Sequence, residues 1–189
     1  MIRQFALQVA IFAGLTGPAI SSDSDSRYAV EGPGRLACSE FNTLAPTDVV
    51  HRDVGVWLTG YMTAHHRLLP QTFDLSPWQT PETLLGMLAQ YCEANPKQVV
   101  ERGAQELVSY LAPKRVQKEA LPLMQRSGDT VTLLYEEVLD GAAEALDAAG
   151  FPIGSGEAAL ADSVLQFQKQ QGLPETGALD QPTLARLLR

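Results

Sequence analysis

A chain of 189 residues has room for one ordinary domain or two small ones, at roughly 100–150 residues per domain, and too little for a large barrel enzyme with a full loop set. Its 22 acidic residues against 14 Lys and Arg give a formal net charge of −8 with no dense basic run, which argues against a nucleic-acid partner. With 45% hydrophobic and 19% charged residues the composition is globular, and the 2 cysteines are the minimum for one internal bridge.

Arg3 precedes an apolar run through Phe5, Leu7, Val9–Ala13 and Leu15, and Pro18 and Ala19-Ile20-Ser21 then supply a helix breaker and a small-x-small site. This pattern predicts a signal peptide over residues 1–21, because the run is shorter than the roughly 20 apolar residues of a spanning helix. The alternative is an apolar helix retained as a membrane anchor. Removal of the signal would leave no stable membrane span, place the protein in an oxidising compartment, and leave residues 22–34 as a disordered, polar leader. In that oxidising compartment Cys38 and Cys92 are expected to form a disulfide.

Residues 35–112 read as a first helical domain. Thr47-Asp48 precedes a stretch from Val49 to Leu68 with Val50, Val54, Trp57, Leu58, Tyr61 and Met62 at close to helical spacing. Leu69 to Thr80 is loop-like, and Trp78 within it is either a lid over the core or an exposed anchor. Thr80-Pro81 is a helix start, since Thr accepts a backbone N–H and Pro loses no bond in the first turn. The helix carries Leu84, Leu85, Leu88, Tyr91 and Cys92 on one face. Asn95-Pro96 reads as another start, opening a helix through Val99, Val100, Ala104, Leu107, Val108 and Leu111 that Pro113 stops.

Three segments of this region resemble a known family. Leu36-Ala37-Cys38-Ser39-Glu40-Phe41, Trp57-Leu58-Thr59-Gly60-Tyr61 and Leu88-Ala89-Gln90-Tyr91-Cys92-Glu93-Ala94-Asn95-Pro96 are similar to the HdeA/HdeB-like periplasmic proteins, over about residues 35 to 111. The resemblance implies a compact, disulfide-linked helical domain, and the family's best-known members are acid-activated chaperones.

Residues 113–129 read as a linker holding Lys114, Arg115, Lys118 and Arg126, either a solvated hinge or a weak attractor of anionic wall polymer or lipid head groups, with Ser127-Gly128-Asp129 as the boundary turn. Residues 130–189 then predict a three-helix bundle. The first helix runs from Thr130 to Ala149 with Leu133, Leu134, Val138, Leu139, Ala142 and Leu146 on its apolar side, ended by Gly150. The second runs from about Glu157 to Gln171 and the third starts at Asp180-Gln181-Pro182. The fold class expected is all-α, as two small helical domains.

The stretch from Phe167-Gln168 through Gly172-Leu173, Thr176-Gly177 and Asp180 to Thr183-Leu184 closely resembles the second half of the peptidoglycan-binding module PG_binding_1. Phe167 would plug the core, Gly172 and Gly177 would permit turns, and Asp180 with Thr183 would close a helix start. The first half keeps Leu146 and Gly150-Phe151, but has Ala142-Ala143 where the family has Leu-Gln, lacks the Asp of the next turn, and places Leu160 where Thr is usual. The resemblance implies peptidoglycan as the partner, with Gln168, Thr176, Gly177 and Thr183 as the matching ligand-side positions.

No catalytic or metal-binding constellation emerges. His65-His66 are adjacent rather than four apart on a helix face, neither a G-x-S-x-G elbow nor a P-loop occurs, and neither cysteine has a catalytic setting. The expectation is a non-enzymatic protein without cofactor that binds peptidoglycan and presents the HdeA-like domain. The alternatives are an acid-stress holdase acting on unfolded or periplasmic client proteins, and an accessory subunit of a cell-wall hydrolase.

Overall fold

The computed structural model describes residue 25, residues 27–156 and residues 158–188; the expected signal peptide, residues 1–21, lies outside these. Residues 31–189 form one compact unit with two hydrophobic cores. The chain is already built into it at Gly32–Arg35, a 3-10 turn that begins inside the expected leader and whose Gly34 is buried.

Four helices enclose the first core: α1 (Cys38–Phe41), α2 (Val49–Leu68), α3 (Pro81–Ala94) and α4 (Val100–Leu111). Helix α2 turns Val54, Leu58 and Met62 inward at four-residue steps, so one apolar stripe faces α3 and α4. Beside it runs an aromatic stripe, Trp57, Tyr61 and His65, with ring centroids 5.1 and 4.5 Å apart. Tyr61 donates its hydroxyl to Glu101 Oε1 at 3.1 Å, giving that buried carboxylate of α4 a partner. Helix α3 begins as its sequence dictates: Thr80 Oγ1 accepts from the Thr83 N–H at 3.3 Å, with Pro81 in the first turn. Gly103 lets α4 press against α3, since a Cβ there would lie 2.5 Å from Leu88 Cδ1 and 2.8 Å from Tyr91 Cδ1.

The expected Cys38–Cys92 bridge is formed and completely buried, tying the start of α1 to the last turn of α3 across 54 positions. Main-chain bonds reinforce this clip, Cys38 N–H to Gln98 O at 2.8 Å and Val100 N–H to Leu36 O at 2.9 Å. One helix-start expectation is corrected. Asn95 ends α3, donating its side-chain NH2 to Tyr91 O, and α4 begins only at Val100. Asp48 stands before α2 as expected, and its carboxylate accepts from the Ala45 N–H behind it.

The all-α expectation is corrected as well. Residues Leu123–Ser127 (β1) and Thr130–Leu134 (β2) pair antiparallel, Ser127 opposite Thr130 and Leu123 opposite Leu134. Gly128 has φ +54 and Asp129 a negative φ, the pattern of the tight hairpin turn that takes glycine first. Thr130-Val131-Thr132 is β-branched and therefore resists the helix assigned to it from apolar spacing alone. The helix starts instead at Glu136, so α5 spans Glu136–Ala148, followed by α6 (Ala159–Gln171) and α7 (Gln181–Leu187). Nor is the expected linker loose throughout. Val116 is buried and exchanges main-chain bonds with Asp74, its N–H to Asp74 O at 2.8 Å and the Asp74 N–H to its O at 3.1 Å.

Val138, Ala142 and Leu146 of α5, Val164 and Phe167 of α6, and Leu184 of α7 make the second core. Phe151 meets Phe167 edge-on at 5.8 Å. Leu134 from the hairpin enters this core, and Trp78 and Tyr135 pack against it.

Candidate peptidoglycan-binding site

The ordered polar residues of the C-terminal segment converge on Gln168. This side chain on α6 has no solvent exposure, and its Oε1 accepts from the Gly177 N–H at 2.8 Å. Its NH2 faces three acceptors, Thr183 Oγ1 at 2.8 Å, Thr176 Oγ1 at 3.0 Å and Ala178 O at 3.1 Å, so two hydrogens serve three oxygens. Asp180 closes the circuit. One carboxylate oxygen accepts from the Thr183 N–H at 3.1 Å and hydroxyl at 2.6 Å, capping α7, while the other accepts from Thr176 Oγ1 at 2.8 Å.

Backbone geometry forces the glycines. Gly172 ends α6 at φ +66 and Gly177 sits at φ +64, the left-handed region that a side chain resists. At Gly177 a Cβ would also lie 2.6 Å from Ser127 Oγ of the hairpin, so both conformation and space exclude a side chain.

The four expected ligand-side residues, Gln168, Thr176, Gly177 and Thr183, are therefore brought together, but as an internal tie. Gln168 and Thr183 are fully buried and Gly177 is buried, so in this conformation they set the shape of the Gly172–Asp180 loop and present no free polar edge. Thr176 alone among them is partly exposed.

The outward geometry depends on residues far away in sequence. Gln181, the residue after the Asp180 cap, donates to Trp78 O and accepts from the Thr80 N–H at 3.3 Å and from Thr83 Oγ1 at 2.6 Å. The first turn of α7 is thus docked on the first turn of α3. Lys114 Nζ donates to Leu188 O at 2.9 Å and Tyr110 Oη at 3.0 Å, and Tyr135 donates to Asp74 Oδ2 at 3.2 Å. Burial first, and then the Asp74 charge and hydrogen bond, push the Tyr135 hydroxyl above its ordinary pKa.

Trp78 settles between its two expected positions. It is half-buried against the second core and walls three clefts at this junction, of about 470, 390 and 460 Å³. Sequence reasoning did not anticipate Gln79 or Gln181 here; the only local signal was a proline-flanked tryptophan in a loop. His65 and His66 are engaged separately, His65 Nδ1 lying 2.9 Å from Tyr61 O and His66 Nε2 3.5 Å from Asp74 Oδ1. Among the described residues no cluster of three or more His, Cys, Asp or Glu side chains could hold a metal ion, and no helix is long and apolar enough to cross a membrane.

Residues 143–187 match the family PG_binding_1, described as "Putative peptidoglycan binding domain". That span takes in the C-terminal half of α5 and all of α6 and α7, and it supports peptidoglycan as the partner. No curated protein and no solved structure matches the chain, so the HdeA/HdeB-like resemblance stands on its motifs alone.

Proposed function

We propose that this chain is a non-catalytic, secreted protein of the periplasm that binds peptidoglycan through its C-terminal helices and presents the disulfide-linked helical region 35–112 at the wall. The family match over residues 143–187 carries this reading. It is supported by the intact loop tie, in which Gln168, Thr176, Asp180 and Thr183 satisfy one another and hold the family's glycine turns in place. Export agrees with the basic-apolar start of the chain and with its paired cysteines. The helical region is joined to the binding helices through Gln181, Lys114 and Tyr135, so anchoring one anchors the other.

The test is sedimentation of the full chain with purified sacculi at neutral pH. The protein is expected in the pellet, and to leave it when the sacculi are digested with muramidase. A chain that stays in the supernatant at every sacculus concentration overturns the reading.

A further inference from the structure

We infer that the cleft between α3, α4 and α7 is a binding site for the uncharged glycan backbone of peptidoglycan, an assignment that rests on the peptidoglycan reading above. The cleft is built jointly. Ala185, inside the matched segment, and Leu188, just beyond it, form one wall, and α3, α4 and the Trp78-Gln79 loop before α3 form the rest. Its volume, about 470 Å³, falls within the roughly 300–1,000 Å³ of small-ligand clefts.

The lining has the chemistry of a sugar site. Trp78, Tyr91 and Tyr110 bring three aromatic rings to one concavity, surfaces on which the C–H face of a pyranose packs. Gln79 and Gln90 add two side-chain amides, each both donor and acceptor, suited to hydroxyl and acetamido groups. Gln79 is 9% exposed, yet its Oε1 takes only a 3.5 Å bond from the Trp78 N–H, and its side-chain nitrogen has no protein partner among the described residues. An amide that lines a cleft with its NH2 unused by the protein can donate to a ligand there.

Charge selects the part of the polymer. None of the lining residues is charged, and the nearest cation described, Lys114, is already held by Leu188 O and Tyr110 Oη. In a chain of net charge −8, with Lys114 the cation at its edge already engaged, such a cleft favours a neutral ligand over the carboxylates of the stem peptides. The N-acetylhexosamine backbone is neutral at its N-acetylglucosamine units and meets no such penalty.

The experiment uses the full chain in sacculus sedimentation, with two soluble competitors: a β-1,4-linked tetramer of N-acetylglucosamine and a free stem tetrapeptide. The tetramer is expected to compete and the tetrapeptide not to. Tyr110→Ala, at a residue 45% exposed, is expected to weaken sedimentation at least tenfold without lowering the thermal midpoint. Should that variant fail to fold, Gln90→Ala on the exposed rim decides, with a loss in the same direction. If the parent chain sediments but both variants sediment equally well, or only the tetrapeptide competes, the cleft assignment is overturned while peptidoglycan binding stands. If the parent chain neither sediments nor binds the tetramer, both fall.

Discussion

Replacing Gln168 by Leu keeps side-chain bulk in the second core and removes only the amide. Four contacts disappear, but their loss is unequal. The hydroxyls of Thr176 and Thr183 keep Asp180 as a partner, whereas the Gly177 N–H and Ala178 C=O, both in buried residues, lose the partner they have. A buried group left unsatisfied costs about 1–3 kcal/mol, so the two together predict a loss of about 2–6 kcal/mol. Against a domain stability of roughly 5–15 kcal/mol this is a large fraction. The two tryptophans make it measurable, since Trp57 packs on the first core and Trp78 on the second. In a Trp57→Phe background, urea unfolding followed by Trp78 fluorescence reports the C-terminal helices. Gln168→Glu adds a second readout, because a carboxylate would face Ala178 O at the position now 3.1 Å from an N–H donor. Its folded pKa would lie above the ~4.3 of an unfolded Glu, so the penalty is absent below about pH 4 and grows as pH rises toward the folded value. A Gln168→Leu loss under about 1 kcal/mol, or a Gln168→Glu variant equally stable at pH 4 and pH 7, would refute the tie.

Four further outcomes follow from the packing. Reducing Cys38–Cys92 opens a link across 54 positions and should cost about 4 kcal/mol in the chain-entropy account; the Trp57 transition in urea should shift under reductant more than the Trp78 transition. Gly103→Ala should destabilise the first core by about 1–3 kcal/mol, because the Leu88 and Tyr91 side chains must give way to a Cβ. Gln181→Ala removes the bonds to Trp78 O, Thr80 N and Thr83 Oγ1, and should raise hydrogen exchange at the Thr80 amide while leaving that at Val54 and Leu58 unchanged. Tyr135 favours its neutral form in the folded chain, so its contribution is present below pH ~10 and lost as pH rises through the raised folded value. Asp74→Asn should lower the phenolate titration of Tyr135, read at 295 nm against a Tyr135→Phe control, and a titration that does not move would contradict the Asp74 contribution.

What was readable in the sequence was whatever is settled within a few residues. Thr80-Pro81 and Asp180 both cap the helices assigned to them, Gly172 takes the left-handed turn that ends α6, and the buried faces of α2 and α4 follow from spacing. The errors came where two local signals competed. At Thr130-Val131-Thr132 the apolar period suggested a helix, while β-branching and the preceding Gly128-Asp129 turn favoured a strand, and the turn prevailed because a glycine with positive φ reverses the chain at no steric cost. At Asn95 one side chain could have capped either neighbouring helix, and it bonds backward to Tyr91 O.

The site divides along the same line. The motif from Phe167 to Leu184, which lies within the matched segment, is legible because its residues bond to one another over short separations, Gln168 to Thr183 and Thr176 to Asp180. Residues that meet mainly each other are well placed to maintain a fold and poorly placed to touch a polymer. The cleft proposed for a ligand is made instead by pairs such as Trp78 and Leu188, about a hundred positions apart, whose meeting no local pattern encodes. A motif match in this chain therefore locates the scaffold, and specificity must be sought where a second element, here the start of α3 and the outer face of α4, completes the cleft the scaffold begins.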